Sequence, residues 1–426
     1  MIQDRYGNTL TTASQAAQDA YIAGIDKFLA ADAGVEDAFR QAIAADEGFA
    51  LPHIALARTL QIFGRGPEAK APLEHALALA PHATPREQSQ VAIFQKLLTG
   101  QGAATIPPII EHLKTWPRDA FVLAPITGVF GLIGFSGKSG REVEQLAALE
   151  PYADAYGDDW WYRAVLAFAQ IELHRFDEGR RNIDIALRGN PRNANAAHIR
   201  AHLYYEQGES TAGLAYLSDW NAGYPRAGAM HCHISWHLAL WSLELGRGAD
   251  AWAIYRDALQ PSATWGPSLN VLTDCASFLA RAGMAGENVD PALWRDISAF
   301  ATKWFPNSGI VFADVHSALA FAMGGNPDAL RAIIDNPKGP AADILAPIAR
   351  GFQAFAGQDW EGALREIGPV LQQNERIGGS RAQRDLLEYT AACALLRGGQ
   401  PDKALRLISS HRPRGRYPLA GLPAYS

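Results

Sequence analysis

Residues 160–191 read WWYRAVLAFAQIELHRFDEGRRNIDIALRGNP, and residues 50–81 read ALPHIALARTLQIFGRGPEAKAPLEHALALAP. In the first run Leu166, Ala167, Phe176, Gly179, Ile183 and Ala186 recur at helical spacing before Pro191. In the second the matching positions are Leu56, Ala57, Leu60, Gly64, Ala69, Leu73, Ala76 and Pro81. A 3.6-residue period interrupted once by a short turn describes two antiparallel helices in a unit of about 34 residues. Ala69 and Gly179 stand where the two backbones approach, and Leu73 and Ile183 fill the gap to the next unit. Pro81 and Pro191 lack the amide hydrogen that would continue the second helix. One such unit cannot bury its own apolar faces, so units must stack.

The clearest units span 50–83 and 160–193. Weaker copies follow at Gly246, Ala251, Tyr255 and Ala258, at Trp360, Ala363 and Ile367, and at Ala391, Ala392, Ala404 and Ile408. Breaks at 223–225, 306–307, 324–327 and 337–340 separate further helix–turn–helix segments, and strand patterning is essentially absent. The expected architecture is all-α: a tetratricopeptide-like α-α solenoid over 1–426, with about ten helical pairs wound into a closed or nearly closed right-handed superhelix. The basic run His411, Arg412, Arg414 and Arg416, in the tail 411–426, reads as a solvated end.

Composition agrees with one repetitive body. At 426 residues the chain exceeds what a single core supports, yet no linker divides it into blocks of different character. Lys and Arg number 38 against 44 Asp and Glu, interspersed, so no basic field awaits nucleic acid. No apolar stretch is long enough for a membrane span, and the first residues lack a signal peptide's basic region, so a cytoplasmic location is expected. Three distant cysteines suggest neither a disulfide framework nor a cysteine-based zinc site.

In such a superhelix the first helix of each pair lines the concave face. These inner helices are expected near Ala194–Glu206, Met230–Leu245, Leu269–Ala282, Gly309–Met323, Ile344–Ala356 and Arg381–Leu396. Two of them carry five of the twelve histidines: His198 and His202, then His231, His233 and His237. Residues four apart share a helix face, so His198/His202 and His233/His237 each offer two imidazoles to one centre. Neighbouring inner helices lie about 10 Å apart, which brings the two pairs within reach of one divalent, zinc-like transition metal. The alternative is a groove whose histidines hydrogen-bond neighbouring helices or grip a ligand carboxylate. His202, His233 and His237 are the candidates for catalysis or metal ligation.

Other polar residues on these helices are candidate pocket residues. Glu206 is a ligand, a base or a plain surface charge. Trp236 is core packing or a pocket wall. Asp274 is an inward carboxylate or a cap. Asp314 and His316, two apart, point about 200° away from each other, so both cannot face the groove equally. Ser380, Gln383, Arg384 and Asp385 open a helix after Gly378-Gly379, either as an anion holder or as a capped start with Arg384 paired to an acid of the preceding repeat. The Gly-rich stretch 130–140 ends in Gly-Lys-Ser, but Leu132 occupies the first glycine position of a phosphate loop; it reads as a flexible turn.

The joint occurrence of these motifs resembles the tetratricopeptide repeat protein 38 family. The residues carrying the resemblance are His198 and His202 before Gln207-Gly208, Cys232-His233 with Trp236 to Leu240, Asp274, Asp314 with His316, and Gly378-Gly379-Ser380 with Gln383-Arg384-Asp385. It covers roughly 38–408 and implies polar motifs gathered into one pocket inside the superhelix. The chain is accordingly expected to bind a small molecule or peptide terminus in its concave groove. A metal-assisted or His-dependent hydrolase and a protein–protein scaffold are the other readings.

Overall fold

The computed structural model describes residues 2–422; Met1 and residues 423–426 of the expected tail 411–426 lie outside the described residues. Among the described residues the regular structure is helical, apart from one isolated bridge between Gln3 and Thr9. Antiparallel pairs follow one another along the chain, such as Ala50–Ile62 with Gly66–Leu79 and Trp160–Glu172 with Phe176–Gly189. This is the tetratricopeptide-like helical solenoid that the repeat marks require. No helix is long and apolar enough to cross a membrane.

Local chemistry sets each pair. Asp159 caps its helix by accepting from the Trp161 and Tyr162 amides, and Asn193 accepts from Ala196. A Cβ on Gly179 would lie 2.6 Å from Ile171 Cγ1, so only glycine permits this approach. Ala167, Ile183 and Ala186 are wholly buried behind it, whereas Leu73 is only partly covered. The second helices end at Leu79 and Gly189, just before Pro81 and Pro191.

The inner helices are Ala194–Gln207, His231–Glu244, Ser268–Met284, Val311–Gly324, Ala342–Ala356 and Arg381–Arg397. Their ends agree with the expected spans to within about two residues, the usual uncertainty of a helix end.

Closure comes from the last of these. The Arg381–Arg397 helix is buried on every face from Ala382 to Ala394 and packs against both the Ser268–Met284 and the Ala194–Gln207 helices. The chain end therefore returns to the middle repeats and fills space that an open superhelix would leave to solvent. Arg412 follows it inward. Only 5% exposed, it donates to Tyr389 Oη and the Tyr205 carbonyl at 2.9 Å, with Glu244 at 3.3 Å. This corrects the reading of a solvated end at Arg412, while Arg414 and Arg416 are exposed: an arginine placed as Arg412 is neutralises carboxylates that closure has buried.

The stretch 130–140 also departs from expectation. Phe130 stacks on Phe135 and meets Phe312 at 5.4 Å between centroids, and a Cβ on Gly131 would lie 2.4 Å from the Thr127 carbonyl. It is a turn packed as a wedge, with no room for side chains at Gly131, Gly134 and Gly137 and open space only at Gly140.

The apolar core falls into a cluster from Tyr6 to Ala169 and a second from Ala194 to Leu419. A smaller cluster containing Val129, Phe168, Ile199 and Leu203 lies between them. Pockets favour such seams, because packing is interrupted where two cores meet.

Candidate metal centre and ligand cleft

At this seam the Ala194–Gln207 and His231–Glu244 helices lie side by side. They meet through their imidazoles, His198 lying 4.7 Å from His233 and 5.1 Å from His237, and His202 4.8 Å from His237, between ring centroids. Each helix turns its i, i+4 histidines toward the other, and one nitrogen from each of His198, His202, His233 and His237 lies within 4.8 Å of the other three. Four nitrogens at the usual zinc–imidazole distance of about 2.0–2.1 Å stand about 3.4 Å apart in a tetrahedron, so small rotamer adjustments suffice.

The surroundings suit ligation. Burial, reinforced by the neighbouring imidazoles, holds the pKa values of His198, His202 and His237 well below the ordinary value, so these rings are neutral at pH 7. Neutral imidazole is the form a metal takes. Asp274 stands 2.9 Å from His233 Nδ1 through both carboxylate oxygens, which fixes that ring and leaves its Nε2 for the centre. Trp236 stacks on His233 at 5.2 Å, and Phe168 packs on His202 at 5.0 Å.

Partner accounting is equally informative. His198 Nε2 and His202 Nε2 share one hydrogen bond of 2.8 Å. His237, only 1% exposed, has neither nitrogen hydrogen-bonded, and His202 Nδ1 and Glu172 Oε1 also lack partners. A buried polar group left unmade costs about 1–3 kcal/mol, so several converging on one point favour a species that satisfies them together. Glu172 Oε1 lies 3.8 Å from His202 Nδ1, and burial followed by repulsion from Glu142 raises its carboxyl from 4.5 to about 8.

A cleft of about 240 Å³ reaches the centre, with His198, His202 and His233 on its floor. Its walls include Phe28, Val129, Phe130, Trp161, Phe168 and Met230, and its polar residues include Asn270 and Gln383. Phe28, Phe130, Met230 and Asn270 are shared with an outer recess of about 650 Å³.

The other sequence candidates separate. Asp274 joins the centre behind His233. Gln383 lines the cleft, while Ser380 caps its helix in a capping box with Gln383. Asp314 is committed to a turn, accepting from the Ser308 and Gly309 amides, and is not among the cleft-lining residues, which is the structural one of the roles open to it. His316 bonds the Phe312 carbonyl through Nδ1 and is not among the cleft-lining residues. Glu206 pairs with Arg381 at 3.1 Å, and Arg384 with Glu142 and the Gly379 carbonyl, so both belong to the closure contacts. Asp385 accepts from Tyr205 Oη at 2.8 Å and does the same. Trp236 lies beneath the imidazoles as a support and is not a cleft wall.

Sequence reasoning missed Glu172, Phe28, Phe130 and Asn270. Glu172 ends a helix whose marks were read for packing, and no local spacing connects it with histidines one repeat later. Phe28 lies far upstream, where the chain gave no polar signal.

These titrations have a measurable consequence for the metal-free chain. A histidine with a lowered folded pKa contributes stability above its unfolded value near 6.5 that is lost as pH falls. Each buried histidine of this kind contributes at most about 1.4 kcal/mol between pH 7.5 and 5.5. Glu172 acts oppositely: its raised folded pKa contributes stability below 4.5 that is lost as pH rises through about 8. His411, raised first by its bond to Glu388, also favours the acid side. Other histidines are lowered as well, His316 among them, and other buried carboxyls, Glu206, Asp274 and Glu388 among them, are raised, so the contribution of Glu172 is read by difference. Between pH 7.5 and 5.5 the urea midpoint of Glu172→Gln is expected to lose more, or gain less, than that of the wild type; identical slopes would contradict the arrangement.

Fold and site thus define a tetratricopeptide-type solenoid with a buried four-histidine cluster under an apolar cleft. No family model matches the chain. Among solved structures, a monomeric IFIT1 mutant with Gppp-AAAA is 13% identical, with 97% of this chain and 98% of that chain covered at a TM-score of 0.43. The human IFIT1 dimer with PPP-AAAA is 13% identical over 96% and 97%, at 0.42. The P58(IPK) TPR domain is 13% identical over 92% and 98%, at 0.20. Similarity at this level carries no argument about the site.

Proposed function

We propose that this protein binds a divalent transition-metal ion on His198, His202, His233 and His237, and that the ion organises a cleft for a small molecule or peptide terminus. The observation that carries the reading is His237, fully buried and without a hydrogen-bond partner at either nitrogen, facing three other imidazoles. Zinc is the first candidate, since neutral imidazoles suit it and Asp274 supplies the outer-shell carboxylate common at such centres. Three of the four histidines line the cleft, so a ligand reaching its floor meets the imidazoles that surround the ion.

A second reading, metal-assisted hydrolysis, rests on Glu172. A carboxyl titrating near neutrality beside the centre has the property of a general acid or base. The resemblance to the tetratricopeptide repeat protein 38 family is part of this proposal, because the motifs carrying it include the histidines and Asp274. The RNA named with the IFIT1 structures belongs to those proteins and is not transferred here.

Elemental analysis of the purified full-length chain, after dialysis against metal-free buffer and repletion with zinc, tests the reading. One tightly held equivalent is expected. A chain that takes up none above its background would reject both the metal centre and the hydrolase.

A further inference from the structure

Gln383 is only 2% exposed and lines the same cleft as His198, His202 and His233. Its amide cannot turn freely. As the third residue of the Arg381–Arg397 helix it completes the capping box: Gln383 Oε1 accepts from the Ser380 amide at 3.0 Å, and Ser380 Oγ accepts from the Gln383 amide. With the oxygen committed, Nε2 is the amide's remaining polar end, and it is buried without a partner. A buried amide donor fixed in orientation beside a ligand cleft calls for an acceptor oxygen on the ligand.

The rest of the lining narrows the chemistry. Among the described residues no Lys, Arg, Asp or Glu lines the cleft, and its walls are aromatic and aliphatic. Four neutral imidazoles leave a dication's charge to the nearby carboxylates, so an anionic oxygen at the cleft floor is favoured. The outer recess carries Asp32, Glu36 and Asp37, with Arg65 its one basic residue, and therefore disfavours a second anionic group at the far end. Its exposed Trp265, with Leu60 and Phe63, continues the apolar surface.

We infer that the cleft's ligand is a monocarboxylic acid with an apolar body, its carboxylate held by Gln383 against the positive charge of the metal centre and its body lying along Phe28, Phe130, Phe168 and Met230. The inference rests on the metal reading above and names the ligand class of that site. Gln383 is the specificity-determining donor, because it recognises an oxygen that an alcohol presents less strongly and an amine not at all.

Calorimetry on the zinc-loaded full-length chain tests this with decanoate, decan-1-ol and sebacate as probes. Decanoate is expected to bind at least about tenfold tighter than either of the others. Gln383→Glu keeps the capping box, which accepts Glu as readily as Gln, but replaces the donor with a carboxylate. It should lower decanoate affinity by at least about tenfold while leaving zinc content unchanged and the chain folded under the assay conditions. Equal binding of decanoate and decan-1-ol, or a folded Gln383→Glu chain binding decanoate like wild type, would overturn the inference. The three-probe comparison decides on wild type alone should the variant not fold. Zinc content separates the two readings: a chain without zinc that still prefers decanoate through Gln383 overturns the metal centre and leaves the ligand class standing.

Discussion

Replacing His202 and His237 together by alanine is expected to remove zinc binding and, with it, the zinc-dependent rise in stability. In the wild type, free zinc at a thousandfold excess over Kd should stabilise the fold by about 4 kcal/mol, since an ion bound only to the native state shifts unfolding by mass action. The double variant removes one imidazole from each helix, leaving His198 and His233 alone, and two ligands do not hold zinc tightly. Thermal unfolding with and without zinc reads this directly. The metal-free variant should remain folded, because His237 made no hydrogen bond to lose and His202 loses only the one it shares with His198. Asp274→Asn grades the effect: it disturbs the carboxylate behind His233 but no ligand, so zinc affinity should fall by about 10–100-fold. An unchanged zinc response in the double variant would place the ion elsewhere.

Arg412→Ala is expected to destabilise the chain by about 3–5 kcal/mol, the cost typical of leaving a buried charge without its partner. The guanidinium lies 3.7 Å from the Tyr205 ring centroid and 3.6 Å from Asp385, in addition to its bonds to Tyr389, Tyr205 and Glu244. Glu244 and Asp385 side chains are 2% and 6% exposed, so water cannot replace what the arginine supplies. Urea denaturation measures the loss, and hydrogen exchange locates it: amides of 381–411 should lose protection before those of 50–79. Adding Glu244→Gln to Arg412→Ala should recover part of the stability, because it removes one of the stranded charges. The loosened helix carries Gln383, so decanoate affinity should fall with it. A tail that were a solvated end would tolerate the substitution within about 0.5 kcal/mol.

The histidine pairs show how far a local rule reaches. Four-residue spacing placed His198 with His202 and His233 with His237, and the order of repeats made their helices neighbours. Both statements are local, and the structure brings the four together. Asp314 shows the limit: its spacing from His316 left two assignments open, and only the fold shows the carboxylate turned back onto the Ser308 and Gly309 amides. For Arg384 the sequence offered an anion holder or an ion pair, and the partner, Glu142, stands 242 residues away.

By itself the sequence determined the helical pairs, their inner and outer faces, and the histidine doublets, because 3.6-residue periodicity, small residues at crossings and proline stops act within a few turns of chain. The tertiary structure alone decided which inner helix would fill the superhelix, that Arg412 would be buried, and that Glu172 and Phe28 would share a neighbourhood with the imidazoles. Those contacts depend on how successive repeats rotate and where the chain end returns. That rotation accumulates from many packing contacts along the solenoid, and no short stretch of sequence contains it.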